Sequence, residues 1–135
     1  MNAHPLLRAY MAGIVVPTPF LLVIVIGFTI ARASVHMSAP LEHAIIFPMA
    51  VVPNLWGLWN MLRVAAGGAD RWTIGLHGAL LPLVLIPLGL LLARILGLDF
   101  IRPAVALALA PVAIGLYYLA WKYLVGYCND ALGIA

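Results

Sequence analysis

Four apolar runs, separated by short polar breaks, organise the chain. They cover residues 11–31, 41–63, 72–94 and 103–125. At a rise of about 1.5 Å per residue, each is close to the ~20 residues that an α-helix needs to cross hydrocarbon. The breaks carry helix punctuation. Ser38-Ala39-Pro40 sets a proline at a helix start, with Glu42 in the first turn. Gly67-Gly68 stops the second helix, Asp70 caps the third, Gly97 ends the third, and Asp99 precedes the fourth. The connections are short, so successive helices are expected to be antiparallel neighbours. The pattern predicts an all-α fold: a transmembrane four-helix up-down bundle with proline-kinked helices, one integral membrane domain over residues 1–135.

Proline occurs in every run: Pro17 and Pro19, Pro48 and Pro53, Pro82 and Pro87, and Pro111. Each removes a donor and crowds the carbonyl four residues earlier, which in lipid must find another partner. Pro17-Thr18-Pro19 is the strongest candidate for a break, because Thr18 can bond a nearby carbonyl. Small residues spaced by four mark expected contact faces: Gly89, Ala93 and Gly97 on the third helix, and Ala104 with Ala108 and Ala106 with Ala110 on the fourth. Ala31-Arg32-Ala33 resembles a signal-peptide cleavage site. The first run is longer than a signal core and contains two prolines, so it reads as a retained helix.

Composition strengthens the membrane reading. The chain is 66% hydrophobic and 8% charged, and its mean hydropathy is +1.14. So few charges cannot clothe a water-facing surface. The net charge of +3 does not point to nucleic acid, because the basic residues are single positions near the ends of apolar runs. The expected partners are the lipid bilayer and either further copies of the chain or other membrane subunits. The expected location is a cytoplasmic (inner) membrane of bacterial type. With the N-terminus inside, Arg8, Arg63, Arg71 and Lys122 face inward, and Arg32, Arg94 and Arg102 face outward. That small excess favours the N-in orientation.

Candidate chemistry concentrates at one end of the predicted bundle. Tyr10, Trp56, Trp59, Trp72, Tyr117, Tyr118, Trp121, Tyr123 and Tyr127 all fall toward one leaflet, where they read as an interfacial belt. Asn54, Asn60 and His77 lie on that side too, within the spans. Polar side chains at such depth face the bundle interior, so Asn60, His77 and Tyr117 are expected to bond to one another. Either they are interhelical glue, or Asn54, Trp56, Asn60, His77, Tyr117 and Tyr118 line a small-molecule pocket between the second, third and fourth helices. The bundle-glue reading is preferred.

Other chemistry finds little support. His36, Glu42 and His43 are weak metal candidates whose spacing matches no standard site. The carboxylates Glu42, Asp70, Asp99 and Asp130 stand at helix ends or in loops, which disfavours a proton-coupled carrier. Cys128 has no partner cysteine and reads as apolar filler. No catalytic, metal or cofactor motif stands out, so no catalytic residue and no cofactor is predicted. The small multidrug transporters share the size and span count. The glutamate that marks their first helix has no counterpart in Met11–Ala31. The expected function is that of a non-enzymatic homo-oligomer or an accessory subunit of a larger membrane complex. Rivals are a transporter or channel for a small neutral or weakly polar molecule, and a membrane redox or lipid-modifying enzyme using His77.

Overall fold

A computed structural model describes residues 4–35, 41–67, 73–95, 97 and 102–134, with the side chains of Val35 and of 41–48 outside that description. All its regular structure is helical. The elements are α1 (Pro5–Val15), α2 (Pro17–Val35), α3 (Leu41–Ala65), α4 (Ile74–Ile95), α5 (Pro103–Leu119), a π-helical turn (Ala120–Val125) and α6 (Gly126–Ala131).

Local chemistry explains most of the boundaries. Pro5 and Pro103 open α1 and α5, where a missing N–H costs nothing. The break at Val16 falls immediately before Pro17, and Thr18 Oγ1 donates to the Ile14 carbonyl at 2.7 Å, as its place in the Pro-Thr-Pro segment suggests. Gly67 takes φ 92° just after α3, and Gly97 takes φ 69° just after α4, conformations that favour glycine. Gly68, Asp70, Trp72 and Asp99 lie outside the described residues.

Two boundaries differ from the sequence reading. The first helical rod begins at Pro5 rather than near residue 11, and within this added stretch Ala9 is buried against Ile134. The last rod runs to Ala131, well past residue 125, by way of the π turn. The prolines within α3, α4 and α5 do not interrupt those helices. The change of helical register comes instead at Ala120–Val125, which has no proline.

Packing forms two close associations. α1 lies along α3, with α2 continuing against α3, while α4 lies along α5 and the π turn. Glycine sets the distances. A Cβ on Gly13 would meet the Trp56 carbonyl oxygen at 2.5 Å, and one on Gly78 would meet the Trp121 ring at 2.0 Å. The small-residue repeats expected to make contacts do so only in part: Ala93 is buried, whereas Ala104 and Ala108 are exposed. Such repeats are common in apolar helices, so spacing alone does not identify the packed face.

The core is small and aromatic. Val16, Trp56, Leu81, Trp121 and Val125 form its centre. A second cluster joins Ala9 and Ala12 to Ile134. Large side chains elsewhere face outward: Val23 is 68% exposed, Leu107 64% and Leu83 54%. Among the described residues, Pro5–Ser34, Ile74–Ile95 and Pro103–Ala131 are long and apolar enough to cross a membrane. α3 has 25 residues.

Candidate functional site

The polar and aromatic side chains meet where the start of α1, the end of α3, the start of α4 and the end of the last rod converge. Asn60, fully buried, is at the centre. Its Nδ2 donates to the Ala9 carbonyl at 2.8 Å and to Asn129 Oδ1 at 2.7 Å. Its Oδ1 accepts from Asn129 Nδ2 at 3.2 Å and from Arg63 Nε at 3.4 Å. Both amide hydrogens and both lone pairs of Asn60 are therefore engaged. Ala9 makes this possible, since a larger residue there would hold α1 away from the amide.

His77 and Trp59 form a second reciprocal pair. His77 Nε2 donates to the Trp59 carbonyl at 2.9 Å, which requires a proton on Nε2. Trp59 Nε1 donates to the His77 carbonyl at 2.8 Å. The two rings stack with centroids 5.1 Å apart. The pair ties α3 to α4 twice, with each side chain anchored on the other's backbone.

Trp121 completes the layer. It was expected in an interfacial belt, yet it is fully buried. Gly78 provides its seat, and the π turn carries the ring inward. Its ring contacts those of Trp56 at 5.5 Å and His77 at 5.6 Å, and Trp56 in turn meets Tyr117 at 4.9 Å. Tyr118 lies against Gly75, with the Lys122 ammonium 5.7 Å from its ring. Tyr123 and Tyr127 are 60% and 73% exposed, as belt residues would be.

The predicted mutual bonding of Asn60, His77 and Tyr117 is not observed. Asn60 bonds Asn129 and Ala9, His77 bonds the Trp59 backbone, and Tyr117 packs its ring on Trp56. The reason is reach: Asn60 meets the Ala9 carbonyl of α1 and the Asn129 amide of α6, and His77 meets the Trp59 carbonyl of α3. Asn54 faces outward and accepts from the Tyr10 hydroxyl. A groove of about 400 Å³ does exist, but it lies between α2, α3 and α5, lined by Val16, Pro17, Phe20, Val52, Trp56 and Tyr117 among others. Of the six candidate ligand-binding residues, Trp56 and Tyr117 reach it. Asn54, Asn60, His77 and Tyr118 do not.

Sequence reading missed Asn129 and the C-terminal clasp. α6 ends with Gly133 at φ 66°, Ile134 N–H donating to the Asn129 carbonyl at 2.8 Å and Gly133 N–H to the Asp130 carbonyl at 3.0 Å. This Schellman arrangement buries Ile134 against Ala9 and Ala12, and Arg8 Nη1 donates to the Leu132 carbonyl at 3.3 Å. The signal was present in Leu132-Gly133-Ile134: a glycine followed by an apolar residue at a helix end.

No group of three metal-binding side chains occurs among the described residues. His36 and the side chains of Glu42 and His43 lie outside them. Comparison with protein-family models, curated proteins and solved structures finds no match to the chain. The fold defines a class, an all-helical protein with helices of membrane-crossing length and composition, and its function rests on its own geometry.

Proposed function

We propose that the chain is a multi-pass membrane protein, a four-helix up-down bundle that acts by contact. It serves as a homo-oligomer or as an accessory subunit of a larger membrane complex, with its N-terminus inside. The observation that carries this reading is the internal pairing of the layer's amides and of His77 with Trp59, although the buried Trp56 Nε1 and Trp121 Nε1 find no partner among the described residues. Asn60, Asn129, His77 and Trp59 are paired within the chain, so their hydrogen bonds fix helices instead of receiving a solute. Outside that layer the exposed surface is largely apolar and suited to lipid or to other helices.

A carrier for a small neutral molecule has less in its favour. The groove beside Trp56 and Tyr117 is otherwise walled by aliphatic side chains, proline and Phe20. A weakly polar solute needs several convergent polar groups.

Native-size measurement in mild detergent tests the proposal. The expected result is a particle larger than one chain, or a second membrane subunit retained through purification. A strict monomer that retains no other protein would contradict it.

A further inference from the structure

We infer that a second copy of this chain docks on the face of α3 that carries Asn54, so that Asn54 meets its own counterpart across a two-fold axis. This rests on the contact-based function proposed above and names the surface that makes the contact.

Asn54 is exposed, although it stands 11 residues before the end of the 25-residue α3. That is roughly 16 Å from the helix end, deep in a bilayer. Its Nδ2 donates to the Ala50 carbonyl at 2.6 Å, and its Oδ1 accepts from the Tyr10 hydroxyl. An amide nitrogen carries two hydrogens, so one N–H of Asn54 has no acceptor among the described residues. Asn54 Oδ1 and the Tyr10 oxygen each keep a lone pair. The patch therefore offers one donor together with spare acceptors, a self-complementary set of the kind a two-fold contact requires. Hydrocarbon supplies no water to satisfy that donor.

Three further observations support this choice of face. The exposed hydroxyls of α2 leave no donor: Thr18, Thr29 and Ser34 return them to the carbonyl four residues earlier, at 2.7, 2.8 and 2.9 Å. The Asn54 group is also fixed in place. The Tyr10 ring lies so close on Gly57 that an added Cβ would stand 2.5 Å from it, and this contact carries the hydroxyl to Asn54. Finally, the chain already joins helices by this chemistry, through the reciprocal Asn60–Asn129 amide pair at 2.7 and 3.2 Å. Ala50, one turn from Asn54, is exposed and small, which lets a second helix approach.

Two measurements in lipid vesicles test the inference. Energy transfer between differently labelled copies reports self-association. Asn54→Leu is expected to weaken it about tenfold, the effect of two symmetric interhelical hydrogen bonds of ordinary strength. Helical circular dichroism checks that the variant folds. In a Cys128→Ser background, Asn54→Cys is expected to form a disulfide-linked dimer on mild oxidation, whereas Leu107→Cys, on α5, is not. Wild-type self-association that is unchanged in Asn54→Leu, with no Asn54→Cys cross-link, would overturn this surface and leave the contact function standing. A monomeric wild type that retains a different membrane subunit would do the same. A monomer that retains nothing would overturn both.

Discussion

Asn60 and Asn129 hold the molecule together through one buried amide pair, and its worth follows from what each loses alone. Asn60→Leu leaves the Asn129 amide and the Arg63 guanidinium without their acceptor and removes the donor to the Ala9 carbonyl. Leaving buried polar groups unpaired costs about 1–3 kcal/mol. The expected loss for Asn60→Leu is about 2 kcal/mol, read from denaturant titration in detergent. The double variant with Asn129→Leu is expected to lose less than the sum of the singles by about 1 kcal/mol, since each single change already breaks the shared bonds. Additive losses would show that the pair is not coupled. The importance of Asn60 was legible from its place inside an apolar run. Its partner was not, because Asn129 lies beyond the fourth run as the hydropathy pattern draws it. Only the π turn and α6 bring it back to α3.

At the scale of elements, glycine decides which helices approach. Gly78 gives Trp121 its seat on α4, and any Cβ there would overlap the ring. Gly78→Ala is therefore expected to destabilise by about 1–3 kcal/mol through overpacking. It should also change the tryptophan fluorescence, because Trp121 must leave its site. Gly115→Ala, which has nothing within 4 Å, is expected to be neutral or slightly stabilising. An equal effect at both positions would refute the packing argument. The four helices were visible as runs of hydrophobic residues with glycine and proline at their ends. The packed faces were not, because Gly75 and Gly78 are three apart and neither belongs to the repeats spaced by four. The register change at Ala120–Val125 also left no sequence mark, since proline is the usual one and this turn has none.

The whole molecule is an aromatic and amide-bonded layer at one end, with long apolar helices extending from it. In water the exposed Leu22, Leu83 and Leu107, 51%, 54% and 64% accessible, would form part of a large apolar surface that soluble monomers do not tolerate. In hydrocarbon the same surface costs nothing, and the few polar groups are where the free energy of assembly is decided. Composition alone points to hydrocarbon as the medium, because eight charged residues in every hundred cannot cover a surface that faces water. Composition does not reveal that Asn60 pairs with Asn129 and His77 with Trp59, since that depends on which of several neighbouring groups lies within bonding distance. Reactivity in intact membranes measures the medium itself. Leu22→Cys, Leu83→Cys and Leu107→Cys, each in a Cys128→Ser background, would be exposed to a membrane-impermeant maleimide. All three are predicted to stay unlabelled until the membrane is dissolved in denaturing detergent. Rapid labelling of all three in sealed, intact membranes would place these surfaces in water and contradict the account.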